Sequence, residues 1–151
     1  MLQVDHLDVV IESKPILSQV SLEVDDSEIV AVLGPSGSGK STLLRAIAGL
    51  VEPSSGRIMW DGRPIDDVPP HRRGFGLMFQ GYALFPHMTV ARNVGFGLEM
   101  REHASIESEV DEALSWVGLR GFGPRRVESL SGGEQQRVAL ARTLAPRPEL
   151  R

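Results

Sequence analysis

Gly34-Pro35-Ser36-Gly37-Ser38-Gly39-Lys40-Ser41 is the stretch that decides how this chain folds. Before it runs Ile29-Val30-Ala31-Val32-Leu33, an uninterrupted apolar run that predicts a strand buried on both faces. After it comes Thr42-Leu43-Leu44-Arg45-Ala46-Ile47-Ala48, a good helix former with Gly49 beyond its end. Between a strand and a helix, the glycines let successive backbone N–H groups turn inward around a β-phosphate. The positive end of the helix points at the same oxygens. Lys40 is placed to reach β- and γ-phosphates as a point charge, and the Ser41 hydroxyl to ligate Mg²⁺. The octet therefore predicts binding of a nucleoside triphosphate. A Gly/Ser turn that merely holds a lysine is the plain alternative, and the flanking strand and helix patterns argue against it.

Bulk properties bound the answer without choosing it. At 151 residues the chain is one typical domain, long enough to bury a core. A net charge of -4 gives no field that would hold nucleic acid or an anionic membrane non-specifically. No apolar run approaches membrane-spanning length, and Met1-Leu2-Gln3 opens into a strand pattern instead of a secretion signal. Cysteine is absent, which excludes disulfides and thiolate metal sites and fits a cytosolic setting.

Outward from the octet, Leu2/Val4, Leu7/Val9/Ile11 and Val20/Leu22/Val24 alternate as half-buried strands. Pro53–Gly56 reads as a loop, Arg57–Trp60 as a short strand and Asp61-Gly62 as a two-residue hairpin turn. Together these predict a small antiparallel sheet beside the nucleotide-binding core. Gly74–Phe79 reads as one more strand, delivering Gln80 at its end. From Ser105 the period becomes helical: Ile106, Val110, Ala113, Leu114 and Val117 form one stripe, with Gly118 beyond the end. That stripe is core packing.

A second chemical signal is Leu130-Ser131-Gly132-Gly133-Glu134-Gln135-Gln136-Arg137. Locally it is a helix start, with Ser131 and Glu134 spaced as a capping box. Capping does not explain two glycines in a first turn, where each costs about 1 kcal/mol of helix propensity. They make sense if something must approach the helix N-terminus closely, and an anion is the natural candidate.

With both motifs in place, the chain resembles the nucleotide-binding subunits of ABC (ATP-binding cassette) transporters over nearly all its length. The resemblance implies an α/β fold: a P-loop NTPase (RecA-like) core, an antiparallel β subdomain and a small helical subdomain. It divides a single domain into 1–80 (core and β subdomain), 81–130 (helical subdomain) and 131–151 (signature helix). Gly34–Thr42 looks like the family's Walker A, Gln80 like its Q-loop glutamine and Leu130–Gln136 like its signature motif. By that resemblance Thr42 and the N–H groups of Gly37 through Ser41 hold the α- and β-phosphates of ATP. Gln80 completes the Mg²⁺ shell with Ser41 and senses the γ-phosphate. Ser131 and Gly133, with Gly132 between them, would contact ATP bound to a second nucleotide-binding subunit in a head-to-tail pair. A facing helix N-terminus would close the side of the γ-phosphate that a single phosphate loop leaves open to water.

Between the motifs, Tyr82-Ala83-Leu84-Phe85-Pro86-His87-Met88-Thr89-Val90 is apolar and Pro-containing, unusual for a surface loop. Buried packing is its plain alternative. In ABC importers it looks like the surface that receives the transmembrane permease subunits, which implies a cytoplasmic position on the inner face of the membrane. The sequence here is similar to importers for iron, polyamines, sulfate, thiamine and sugars. The short span from Gln80 to Ser131, without sustained heptads, argues against the DNA-repair ATPases of the superfamily.

Three departures from the family pattern matter. No aromatic residue precedes Trp60, so Val10 and Ile11 occupy the place where adenine would stack. Arg92 stands where a capping-box Glu after Thr89 is expected. The Asp-Glu pair of Walker B and the switch histidine are absent from these 151 residues. None of His6, His71, His87 and His103 is in that histidine's place, and His6 and His103 read as solvated. The resemblance implies an ATPase. A nucleotide-binding module without turnover is the alternative reading.

Overall fold

The computed structural model describes residues 1–99 and 105–150. Two compact units make up the chain, Met1–Phe75 and a second from Gly76 on.

The first unit is built on an antiparallel sheet in the order β2-β1-β3-β4. Its strands are β1 (Leu2–Ile11), β2 (Lys14–Val24), β3 (Ser55–Trp60) and β4 (Arg63–Pro64). Leu2, Val4, Leu7, Val9 and Ile58 are buried on one face. The spacing jumps from Val4 to Leu7 because β1 bulges there, with His6 at φ 45, which returns Leu7 to the buried face. His6 is exposed, as expected, with its Nδ1 2.6 Å from Asp5 Oδ1; His103 lies outside the described residues. Both two-residue hairpin turns, Glu12-Ser13 (φ 49 and 64) and Asp61-Gly62 (φ 50 and 73), take left-handed backbone at both central residues. That twist matches the flanking strands. Asp8 ties three strands: its carboxylate accepts from the Gln19 backbone N–H, the Gln19 side chain and the Ser55 hydroxyl. Those bonds, that from Ser55 foremost, hold its carboxyl below the usual range.

The run Ile29–Leu33 departs from the buried strand that its composition predicts. It carries no strand hydrogen bonding, and Ile29 and Leu33 are 95% and 89% exposed. A strand needs neighbours for its backbone N–H and C=O groups, and among the described residues none pairs with this one. Gly74–Phe79 likewise forms no extended ladder, for the same reason.

α1 (Lys40–Ile47) buries Leu43, Ala46 and Ile47. Its C-terminus is closed twice. Gly49, at φ 78, donates to Ala46 O while Leu50 N–H donates to Arg45 O at 2.8 Å, satisfying orphan carbonyls. Arg73, only 8% exposed, donates from Nη1 to Ala46 O and Ile47 O, from Nη2 to Asp66 O and from Nε to Val68 O. A Cβ at Gly49 would stand 2.6 Å from Arg73 Nε, so this glycine also makes room for the guanidinium.

The second unit packs three helices, α2 (Val90–Glu99), α3 (Ile106–Trp116) and α4 (Gly132–Leu144). Val94, Leu98, Val110, Leu114 and Val138 are fully or nearly fully buried in its core, which confirms the stripe read on α3. α2 starts without the expected Glu, and three of its first donors find other partners. Val90 and Ala91 N–H donate to Arg125 O and Gly123 O, and Arg92 N–H to the Thr89 hydroxyl. Arg92 itself is exposed, where solvent screens its charge from the helix dipole.

Because Arg73 binds four backbone carbonyls from a buried position, Arg73→Met should lower the stability of the first unit by about 3 kcal/mol. Urea melts followed by Trp60 emission, in a Trp116→Phe background, would show this as an earlier midpoint. An unchanged midpoint would mean that Gly49 closes the helix alone.

Candidate functional site

In the first unit the loop Gly34–Gly39 leads into the N-terminus of α1, with Gly37 and Gly39 at φ 82 and 89. A Cβ at Gly39 would lie 2.7 Å from Leu17 Cδ2 and 2.9 Å from Ile16 O, so only glycine lets the loop pack against β2 here. At Gly37 a Cβ meets nothing within 4 Å, and the loop is open on that side. Lys40 lies across the loop: its Nζ donates to Gly34 O at 2.8 Å and Pro35 O at 2.7 Å, with Ser38 Oγ at 3.4 Å. No side chain caps α1 and no acidic residue stands in its first turn. The first-turn amides, the Lys40 ammonium and the exposed Ser41 hydroxyl thus face one opening with positive potential. Ser36 is exposed on the loop and Thr42 sits half-buried in the first turn. The donor set fits a polyphosphate. Among the described residues no group of three or more His, Asp or Glu side chains is placed to hold a metal. A Mg²⁺ ion here would depend on Ser41 and on the phosphates themselves.

The remaining expected site residues lie in the second unit. Gln80 is exposed at the start of a turn in which Tyr82 N–H donates to Phe79 O. Tyr82 and Ala83 follow in left-handed backbone, at φ 59 and 47, a conformation costing non-glycine residues about 1–2 kcal/mol each. Arg142 on α4 bonds both their carbonyls at 2.7 Å, and burial lowers its pKa without threatening its charge. Fully buried Asn93 on α2 holds the rest: its Oδ1 accepts from Phe85 N–H, and its Nδ2 donates to Phe85 O and Thr89 O. Leu84 packs on the helical core, whereas Pro86 and His87 face outward. Internal packing thus explains part of the apolar character of 82–90 and leaves its tip unexplained. Arg142 and Asn93 escaped the sequence reading because their partners are backbone groups, which no side-chain pattern announces.

At the start of α4 the capping box is formed. Glu134 Oε2 accepts from Ser131 N–H and the Ser131 hydroxyl, each at 2.7 Å, and Ser131 Oγ accepts from Glu134 N–H at 3.4 Å. Gly132 and Gly133 take no part in the box and are exposed; a Cβ at Gly132 would meet nothing within 4 Å. The local capping role is therefore real; the space over Gly132 is free, and a Cβ at Gly133 would meet Arg137 Nη1 at 3.9 Å.

The comparison with known proteins follows from these two motifs. A family model for ABC transporters matches residues 17–151, and the chain belongs to that family. It is 58% identical over 139 residues to the Fe(3+) ions import ATP-binding protein FbpC of Streptomyces avermitilis, covering 91% of this chain and 40% of that protein. It is 52% identical over 136 residues to the sulfate/thiosulfate import ATP-binding protein CysA of Synechocystis, covering 89% and 38%. The putrescine transport ATP-binding protein PotG of Escherichia coli is 48% identical over 152 residues, covering 99% and 40%. The chain thus spans about two-fifths of the length of these relatives. Among solved structures, the ATP-binding cassette MJ0796, a dimer in a post-hydrolysis state bound to ADP and Pi, superposes with a TM-score of 0.88 at 31% identity, covering 98% of this chain and 71% of that one. The fold is the P-loop NTPase fold of ABC cassettes.

Glu134 offers a direct check on the cap. Bonds from the Ser131 hydroxyl and then its N–H hold its carboxyl below the ordinary value of 4.5. A carboxyl lowered by folding stabilises above its unfolded pKa, and that contribution is lost as pH falls through the lowered value. Below pH 4.5 the parent should lose a stability increment that Glu134→Gln does not lose, read as melting temperature against pH. Matching slopes would show that the box does not form in solution.

Proposed function

We propose that this chain binds Mg·ATP and belongs to the ATPase subunit of an ABC importer, coupling ATP binding and hydrolysis to uptake through separate membrane subunits. The observation that carries this is the Lys40 ammonium lying across Gly34–Ser38 in front of an uncapped α1. The names of the relatives, importers of ferric iron, sulfate and putrescine, support the importer class. Within it, the amides of Gly37 through Ser41 and the Thr42 hydroxyl hold the α- and β-phosphates, with Pro35 and Ser36 shaping the loop. Lys40 exchanges its loop carbonyls for phosphate oxygens. Ser41 and Gln80 would hold a Mg²⁺ ion, which when bound would neutralise phosphate charge. Half-exposed Val10 and Ile11, at 48% and 42%, offer adenine an aliphatic surface in place of an aromatic ring.

In the same reading Ser131, Gly132 and Gly133 face the γ-phosphate held by a second such subunit, and the Tyr82–Val90 segment meets the permease on the cytoplasmic face of the membrane. The core and β subdomain occupy 1–80, the helical subdomain 81–130 and the signature helix 131–151.

Lys40→Ala should reduce affinity for a fluorescent Mg·ATP analogue at least tenfold while leaving the melting curve in place. Equal affinity in mutant and parent would remove the basis of this reading. Ser131→Arg, in the gene product that carries this chain, should leave nucleotide affinity of the single subunit unchanged and abolish ATP-dependent pairing, measured by sedimentation. Collapse of single-subunit binding would instead leave Ser131 with its capping role only.

A further inference from the structure

The proposed function asks Ser131 to meet an anion, yet Glu134 already holds both protons that Ser131 can give. Its Oε2 accepts from the Ser131 hydroxyl and from the Ser131 N–H, each at 2.7 Å. A serine hydroxyl carries one proton, so it donates to Glu134 or to a phosphate oxygen and not to both. If the hydroxyl turns away, the N–H still ties the carboxylate to the turn. A phosphate brought to Ser131 therefore meets a like charge at short range. Nearby cations temper that charge without removing it. A Cβ at Gly133 would lie 3.9 Å from Arg137 Nη1, and the Arg125 guanidinium sits 3.9 Å over the Phe122 ring. After the bonds from Ser131, these two exposed arginines favour the ionised form of Glu134. The cap itself does not call for a full charge. A capping box needs only an acceptor for the N-cap N–H, and a neutral glutamine carbonyl supplies one.

We propose that Glu134 is a positioning residue that raises the threshold for ATP-dependent pairing. Its carboxylate keeps the Ser131 hydroxyl turned inward and repels the γ-phosphate held by the second subunit, until contacts elsewhere in the pair overcome it. This rests on the proposed placing of Ser131–Gly133 against a second subunit's nucleotide. The bonds from Ser131 to Glu134 do not depend on that placing.

Glu134→Gln keeps an acceptor for the Ser131 N–H and removes the charge. In the gene product that carries this chain, it should tighten ATP-dependent pairing about fivefold or more at low salt, measured by sedimentation. Nucleotide affinity of the single subunit should stay unchanged. The gain should shrink by half or more between about 0.1 M and 1 M NaCl, where the Debye length falls from about 10 Å to 3 Å. A merely structural role in the cap would show no such salt dependence. Glu134→Asp keeps the charge and should pair no more tightly than the parent. Should Glu134→Gln lose its cooperative melting, the comparison is read in Glu134→Ala, where the same gain is expected. Pairing at parent strength or weaker in the neutral variant overturns the proposal. So does a gain that salt leaves unchanged, or an equal gain in Glu134→Asp. If Ser131→Arg blocks pairing and Glu134→Gln does not tighten it, the role of Glu134 alone fails. If Ser131→Arg has no effect, the signature assignment fails first and this proposal falls with it.

Discussion

Each helix end leaves up to four backbone groups without an intrahelical partner, and the way this chain disposes of them organises the whole structure. At the C-terminus of α1 the orphan carbonyls are taken by Gly49, Leu50 and the guanidinium of Arg73. At the start of α2 the orphan donors are taken by backbone carbonyls of Gly123 and Arg125. α3 ends on a left-handed glycine, Gly118, with Leu119 N–H bonded back to Leu114 O. The start of α1 has no capping side chain and, unlike those of α3 and α4, no acid in its first turn, with a lysine laid across the loop before it.

α4 stands between these cases. Its first turn is capped by its own Glu134, yet the cap engages only Ser131 and Glu134. The two glycines beside it pack against nothing that would need them small. A self-contained cap with bare backbone next to it keeps the helix stable alone and leaves its N-terminus approachable. The same helix, nearer its other end, spends an arginine on two carbonyls of a strained loop, so the segment 80–89 is held from α4 and from α2 at once.

The sheet shows the opposite dependence. β2 and β3 each pair with β1, so alternation in sequence became alternation in burial, with phase shifts at His6 on β1 and Gln19 on β2. Ile29–Leu33 has the composition of an interior strand and none of its surroundings. Apolar composition makes a segment want neighbours; it cannot supply them.

What the chain determines by itself is therefore local. The phosphate loop, the glycine after α1, the Asp61-Gly62 turn, the α3 stripe and the Ser131–Glu134 box were all legible, because each is settled by residues within a few positions of one another. Glycine conformational freedom, helix periodicity and cap spacing act at that range. Only the tertiary structure decided the rest: that Arg73 closes α1, that Asn93 and Arg142 seize the loop before α2, that the first donors of α2 go to Gly123 and Arg125 and that Ile29–Leu33 lies exposed. In the first three the deciding partner is a backbone carbonyl or a backbone amide, and in the last no strand among the described residues pairs with the run. Every residue type offers the same backbone groups, so no pattern of side chains marks where they will meet.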